Sequence, residues 1–237
     1  MKHILFIIFL LFTFNSYAQD LKSLFIAIPD SLSPLLTKVN REDFGDFLDS
    51  NMKAEVRNRF GNTSEMKKLT SDYLLLQTSS ASITEMKLLP VNDSTKIICI
   101  VNTYMAPVAD SQISFYDTSW KKLSHTTFLQ LPEEKMFYKP SQNSSQADSL
   151  KNLQAAADMY LLQAKLSENN TELSFTYTTP QYLDKETAQK LTPFLRNNPL
   201  IYEWINGKFV PSENKLSHTG LLMPSQSSDK PTDSSSK

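Results

Sequence analysis

The gaps between apolar runs in the middle of the chain limit its fold more than any other feature. From Ser71 onward the period changes to that of strands, with runs over Tyr73 to Thr78, Ile83 to Val91, Lys96 to Tyr104 and Gln112 to Asp117. Ser79-Ser80, Asn92-Asp93-Ser94 and the Pro107 to Asp110 loop lie between them, all turn chemistry. A parallel pair needs a crossover of about a dozen residues or more, and these gaps are too short for one. The sheet is therefore predicted to be antiparallel, with a weaker strand after Trp120 and an irregular stretch over residues 124 to 145.

The residues before this meander read as helical. Leu21, Leu24, Phe25 and Ile28 follow an i, i+3, i+4, i+7 pattern that Pro29 stops. Asn40 is placed to cap a second helix in which Phe44, Phe47, Leu48 and Met52 share a face. Val56 and Phe60 continue that pattern toward Gly61, a C′ candidate, and Ser64 to Thr70 reads as a further turn or two.

The second half repeats the theme. Leu150, Leu153 and Ala157 suggest a short helix, and runs at Met159 to Glu168 and Glu172 to Thr178 flank Asn169-Asn170 as a two-residue hairpin loop. Asp184 to Leu191 reads as a helix ended by Pro193. Asn206-Gly207 between Leu200 to Ile205 and Lys208 to Val210 is the strongest hairpin signal in the chain. Asp72-Tyr73-Leu74-Leu75-Leu76-Gln77 resembles Asp158-Met159-Tyr160-Leu161-Leu162-Gln163, which admits two tandem helix-plus-four-strand units. The expected class is α+β, N-terminal helices followed by an antiparallel β-meander. Its expected divisions are residues 1–18 as a signal peptide, 19–70 as a helical segment packed on the sheet, 71–222 as a β-rich domain with short helices, and 223–237 as a disordered Ser/Asp/Lys/Pro/Thr tail.

Lys2, the apolar stretch from Ile4 to Phe14 and Ser16-Tyr17-Ala18 form an export signal, with cleavage expected between Ala18 and Gln19. As a helix the stretch spans only about half of a 30 Å hydrocarbon core, so it is no membrane span. No later apolar run is long enough to cross, and the mature chain is expected to have no transmembrane segment. An exported protein, periplasmic or envelope-associated, is the expectation, with secretion to the outside compatible.

Composition removes several function classes. The 237 residues include 4 glycines, none close enough together to build a phosphate-cradling loop, so no P-loop or dinucleotide fingerprint is present. One cysteine leaves no disulfide framework, thiolate zinc site or Cys-x-x-Cys motif. A net charge of −1 argues against nucleic-acid binding, which rests on neutralising phosphates. Neither a cofactor nor a metal site is expected.

Few residues stand out as catalytic. His125 and His218 each follow a serine, but adjacent side chains of an extended chain point to opposite faces and cannot form a relay. Cys99 in Ile97-Ile98-Cys99-Ile100-Val101 reads as a small buried hydrophobe, because an apolar strand raises rather than lowers a thiol pKa. Asp43, Asp46 and Asp49 fan along a helix and read as a solvated face, not a calcium loop. Glu133-Glu134 reads as a surface pair. Asp30-Ser31-Leu32 and Asp148-Ser149-Leu150 have the Asp-Ser-aliphatic form of an O-glycosylation tripeptide, but the motif is short and a turn or cap is the preferred reading. The C-terminal hairpin offers more. A two-residue loop pairs Trp204 with Phe209 and sets Tyr202, Trp204 and Phe209 on one face, either as core or as a binding platform.

Pro29-Asp30-Ser31-Leu32-Ser33-Pro34, Asn40-Arg41-Glu42-Asp43-Phe44, Asp72 to Gln77, Lys87-Leu88-Leu89-Pro90, and Ile97 to Val101 with Ala106-Pro107, Asp110-Ser111 and Phe115-Tyr116 together resemble a known family. It is the domain of unknown function 3256 family, exported proteins of anaerobic Gram-negative bacteria. The resemblance covers nearly the whole chain after the signal, most densely residues 24 to 123. It implies export and an envelope setting, and it brings no activity or site residues with it.

The sequence therefore favours a non-catalytic binding or scaffold protein of the cell envelope over an enzyme, its partner an envelope protein or a glycan. The competing readings are a periplasmic factor that holds other proteins by edge-strand addition, and a hydrolase whose site is scattered through the sequence.

Overall fold

A computed structural model of the chain describes residues 20–141 and 143–212. The expected signal segment with Ala18 and Gln19, His218 and the tail at 223–237 lie outside the described residues. Two compact units divide the chain, the first holding residues 20–106 and 111–125, the second 107–110 and 126–212. The boundary expected at residue 70 is therefore not where the units part. Strands on both sides of it belong to one sheet.

In the first unit, helices α1 (Leu21–Ile26) and α2 (Lys38–Asp49) precede a seven-stranded antiparallel meander whose spatial order is its sequence order. Its strands are β1 (Glu55–Arg57), β2 (Thr63–Leu69), β3 (Tyr73–Ser79), β4 (Ser82–Pro90), β5 (Lys96–Tyr104), β6 (Asp110–Asp117) and β7 (Lys122–Leu123). Asp20 caps α1 by accepting from the Ser23 N–H at 2.8 Å. The cap of α2 is Thr37, not Asn40: Thr37 Oγ1 accepts from the Asn40 N–H, and Asn40 Oδ1 accepts from the Thr37 N–H, both at 3.1 Å. Asn40 thus plays the returning partner of a capping box, one turn inside the helix.

Residues 55 to 69 are two strands, against the helical expectation. Val56 and Phe60 mimic a helical spacing, but Phe60 is 73% exposed and Gly61, at φ +75°, serves a turn. Asn58 builds that turn, its Oδ1 accepting from the N–H groups of Phe60 and Asn62. Beyond it Ser64 and Met66 point inward in strand alternation until a bulge between Met66 and Lys68. Met52, expected on the buried face of α2, is 57% exposed because that helix stops at Asp49.

One face of this sheet buries Leu74, Leu76, Met86, Leu88, Ile98 and Ile100 against Leu21, Leu24, Phe25 and Phe44 of the helices. Such packing is the main stabilising term, roughly 1.5–3 kcal/mol for each large apolar side chain removed from water. The opposite face carries Tyr73, Glu85, Lys87 and Cys99, also buried. Its charges are paired: Tyr73 donates to Glu85 at 2.8 Å and Lys87 meets Asp72 at 2.9 Å.

The second unit holds the helices α4 (Ser144–Ala156), α5 (Thr179–Tyr182) and α6 (Lys185–Leu191), with 3-10 turns at Glu134–Phe137 and Thr192–Phe194. A short helix α3 (His125–Phe128) opens the stretch expected to be irregular. Its sheet is antiparallel, in the order β11 (Lys208–Pro211), β10 (Leu200–Ile205), β9 (Glu172–Tyr177), β8 (Leu162–Leu166). Both sheets are antiparallel and both follow helical segments, as the α+β reading requires, but they have seven and four strands rather than four each. The β8–β9 connection is longer than a two-residue Asn169-Asn170 loop. Leu166 pairs with Leu173, the Ser167 N–H donates to Glu172 O at 2.9 Å, and Asn170 Oδ1 accepts from the Glu172 N–H at 3.0 Å. The Asn206-Gly207 hairpin has the expected register, Ile205 opposite Lys208 and Trp204 opposite Phe209. Asn206 and Gly207 supply the two positive φ angles, 50° and 77°, that such a turn needs.

Candidate functional site

In the second unit, a groove of about 430 Å³ lies between the C-terminal hairpin and residues 126 to 136. Tyr202 and Phe209 come from neighbouring strands, and alternation turns both inward from the hairpin. Phe128 and Met136 supply the facing wall, and Thr126, Gln130, Glu133 and Lys208 supply polar groups. Trp204 is half-buried behind Phe128, with ring centroids 6.2 Å apart and planes 24° apart, and its edge meets Phe209 at 4.8 Å. Tyr202 packs edge-on against Phe175 at 5.1 Å, and burial pushes its hydroxyl pKa up to about 12.

The three aromatics singled out in sequence share one face of the hairpin; Tyr202 and Phe209 border the groove, and Trp204 stands behind its wall residue Phe128. Tyr202 and Phe209 are each 3% exposed, while Trp204 is the one left partly open. The facing wall lay in the stretch read as irregular. Phe128, Leu129 and Met136 give no sustained period, and the turns that present them are too short to show one.

Beside this wall Glu134 departs from the surface-pair expectation. Its Oε1 accepts from the hydroxyls of Tyr138 at 2.7 Å and Tyr177 at 2.9 Å. Phe137 stacks on Tyr177 at 5.6 Å, and Tyr160 donates to Pro132 O at 2.6 Å. Burial raises the pKa of Tyr138 and Tyr177, and the Glu134 carboxylate raises both further. These phenols therefore act as fixed donors and not as bases. Glu133 does stay exposed and meets Lys135 at 2.6 Å.

The remaining candidates are dispersed. His125 packs on Phe115 at 6.0 Å, and burial lowers its pKa. Cys99 is buried, with its pKa raised by burial and then by the Glu85 charge. Asp49 pairs with Lys22 at 2.6 Å, and no group of three His, Cys, Asp or Glu among the described residues could hold a metal ion. Asp30 accepts from Arg41 and Arg59 in its turn, and Ser149 donates to Ser145 O within α4. Among the described residues no helix is long and apolar enough to cross a membrane.

Two N-terminal helices on a sequential antiparallel meander, followed by a second helix-and-sheet unit, define an α+β protein. A family of proteins of unknown function, DUF3256, matches residues 13–209, and the chain belongs to it. It is similar to a solved structure described as a domain of an uncharacterized protein from Porphyromonas gingivalis W83, at 31% identity and a TM-score of 0.72 over 81% of this chain and 98% of that one. No curated protein matches.

Proposed function

We propose that this chain is an exported, non-catalytic binding protein of the bacterial cell envelope, and that it holds its ligand in the groove of the second unit. Lys2, the apolar stretch that follows and Ser16-Tyr17-Ala18 support export. The observation that carries the binding role is the groove itself. It is about 430 Å³, inside the range of small-ligand sites, and mixes the aromatic residues Phe128, Tyr202 and Phe209 with the polar Thr126, Thr127, Gln130, Glu133 and Lys208. Phe128, which is only partly buried, suits the apolar face of a sugar ring, and Thr126, Gln130 and Lys208 suit its hydroxyls.

The competing readings have less behind them. Edge-strand addition wants a long unguarded edge, whereas β11 carries Lys208 and Pro211, β8 carries Lys165, and β1 and β7 are three and two residues long. A hydrolase wants two convergent carboxylates or a Ser–His contact, and Glu133 is the one acid lining the groove.

Trp204 is a built-in reporter because it stacks on the groove residue Phe128. Titrating the full chain with neutral di- and trisaccharides should shift its fluorescence saturably, and Phe128→Ala should weaken that binding about tenfold or more. A flat titration across the saccharides, with saturation by short peptides instead, would overturn the glycan assignment. A flat response to both would overturn the groove.

A further inference from the structure

Phe60 is the most exposed large apolar side chain among the described residues, at 73%, and a built turn holds it there. It stands at the tip of the β1–β2 hairpin in the first unit. Asn58, 6% exposed, anchors that tip from inside. Its Oδ1 accepts from the N–H groups of Phe60 and Asn62 at 3.0 and 3.1 Å, and its Nδ2 donates to Ser64 Oγ at 3.1 Å and Thr78 O at 3.3 Å. Gly61, at φ +75°, closes the turn, and a Cβ placed on it would meet nothing within 4 Å, so the tip projects clear of its surroundings. Phe60 has apolar company. The meander brings the β1–β2 and β3–β4 turns and the end of β5 to one end of the sheet. Tyr104 (54% exposed) and Met105 (41%) close β5 there, and Leu32 (37%) reaches the same end from the loop between α1 and α2. The Arg59 N–H donates to Leu35 O at 2.9 Å, which ties the hairpin to that loop, and Leu32 and Tyr104 line one groove with Thr78 and Ser82. The hairpin tip carries charge of one sign: residues 56–64 include Arg57 and Arg59 and no acid.

We propose that this end of the first unit is a membrane-contact surface, which lays Phe60 into the headgroup boundary of an anionic lipid bilayer with Leu32, Tyr104 and Met105 beside it. A projecting ring flanked by arginines matches a lipid surface in both of its parts. The ring enters the acyl boundary, and the guanidinium groups stay at the phosphates. Arg57 is exposed and has no ion-pair partner among the described residues. Asp30, the acid of the adjoining loop, already has two arginines, Arg59 at 2.7 Å and Arg41 at 3.2 Å, so the positive sign of the tip is not cancelled from there. Area separates this occupant from a protein. The four apolar side chains expose on the order of 400 Å², about half of the roughly 800 Å² that each partner gives to a standard protein interface. A bilayer sets no such minimum, because each inserted side chain gains by its own transfer out of water. The contact is peripheral, and it is distinct in unit and in partner from the groove described above.

The chain is tested from Gln19 onward, because the apolar residues 4–14 would enter vesicles by themselves. It is sedimented with phosphatidylcholine vesicles, pure or with roughly one phosphatidylglycerol in three lipids. Saturable binding that favours the anionic vesicles is expected, weakened by high salt and weakened about tenfold or more by Phe60→Ser. Met52→Ser removes another apolar side chain, 57% exposed, on the far side of β1 from the tip, and should leave binding unchanged. The proposal is overturned by a chain that ignores anionic vesicles or does not prefer them, by Phe60→Ser binding as the unaltered chain does, or by an equal loss in both variants. Dimerisation that Phe60→Ser abolishes would overturn it too, and would give the surface to a second copy. If Phe60→Ser fails to fold, Phe60→Trp decides the matter. Its added indole should be quenched by lipids brominated near the headgroup end of the acyl chain, and quenching no greater than in the unaltered chain overturns the proposal equally.

Discussion

Phe128 and Trp204 stack with their planes 24° apart although one comes from a short helix and the other from the last hairpin. Phe209 meets the same indole edge-on at 4.8 Å. A wall residue of the groove is thus held by a side chain that does not line it, and packing and binding share one contact.

Trp204→Ala should accordingly cost about 2 kcal/mol in urea unfolding, less than the 3–5 typical of a fully buried ring because Trp204 is partly open. Saccharide affinity should fall with it, since Phe128 loses its backing. A variant that melts like the unaltered protein would show that the indole is not part of the packed hairpin face.

Cys99 should react with thiol reagents only as fast as the first unit opens. It sits on a central strand paired with Lys87, fully buried, with its thiol pKa pushed up by burial and by Glu85. Cys99→Ala should cost about 1 kcal/mol through the cavity left behind, with ligand binding unchanged. Labelling of the folded chain within seconds at pH 8 would contradict this.

Reading ahead worked where one residue pattern had one structural answer. Lys96 to Tyr104 and Leu200 to Ile205 match their strands to the residue, and Asn206-Gly207 sets the hairpin register, because a short apolar run bounded by turn residues and an obligatory positive-φ turn leave no second solution. It failed at β2, where Met66 is the one buried apolar residue and Glu65, Lys67 and Lys68 hide the alternation. The aromatic half of the groove was legible for the same reason as the hairpin. The half from residues 126 to 136 was not, because irregular backbone carries no period, and Glu134 reads as a surface acid until Tyr138 and Tyr177 are seen to converge on it.

Stability should fall on the alkaline side as the buried phenols lose their protons. Tyr138, Tyr177 and Tyr202 have raised pKa values in the folded chain, chiefly through burial, Tyr202 up to about 12. The unfolded chain releases these protons near pH 10, so above that the folded state binds more protons than the unfolded one. The slope of unfolding free energy with pH is then negative: the contribution is complete below pH 10 and lost as pH rises through the folded values. Tyr138→Phe should lower stability by about 1 kcal/mol at pH 7, through its lost bond to Glu134, while making the alkaline decline shallower. Melting temperatures that stay level between pH 9 and 11 would refute the assignment.

Arg41 should be the most sensitive polar residue of the first unit. Its guanidinium donates to Ile26 O, Ile28 O and Leu36 O as well as to Asp30, so one side chain closes the loop that joins α1 to α2. Arg41→Met removes the charge but leaves buried carbonyls without a donor, for an expected loss of about 3–5 kcal/mol. Arg41→Lys keeps the charge yet cannot span the same acceptors from a single ammonium, and about 2 kcal/mol should still be lost. Arg59 is the control. It shares Asp30 at 2.7 Å but is 41% exposed, so Arg59→Ala should change stability by less than about 1 kcal/mol. If Arg41→Lys and Arg59→Ala unfold at the same urea concentration, the carbonyl contacts contribute little and the loop is held by the apolar packing of Phe25, Ile28 and Leu36 alone.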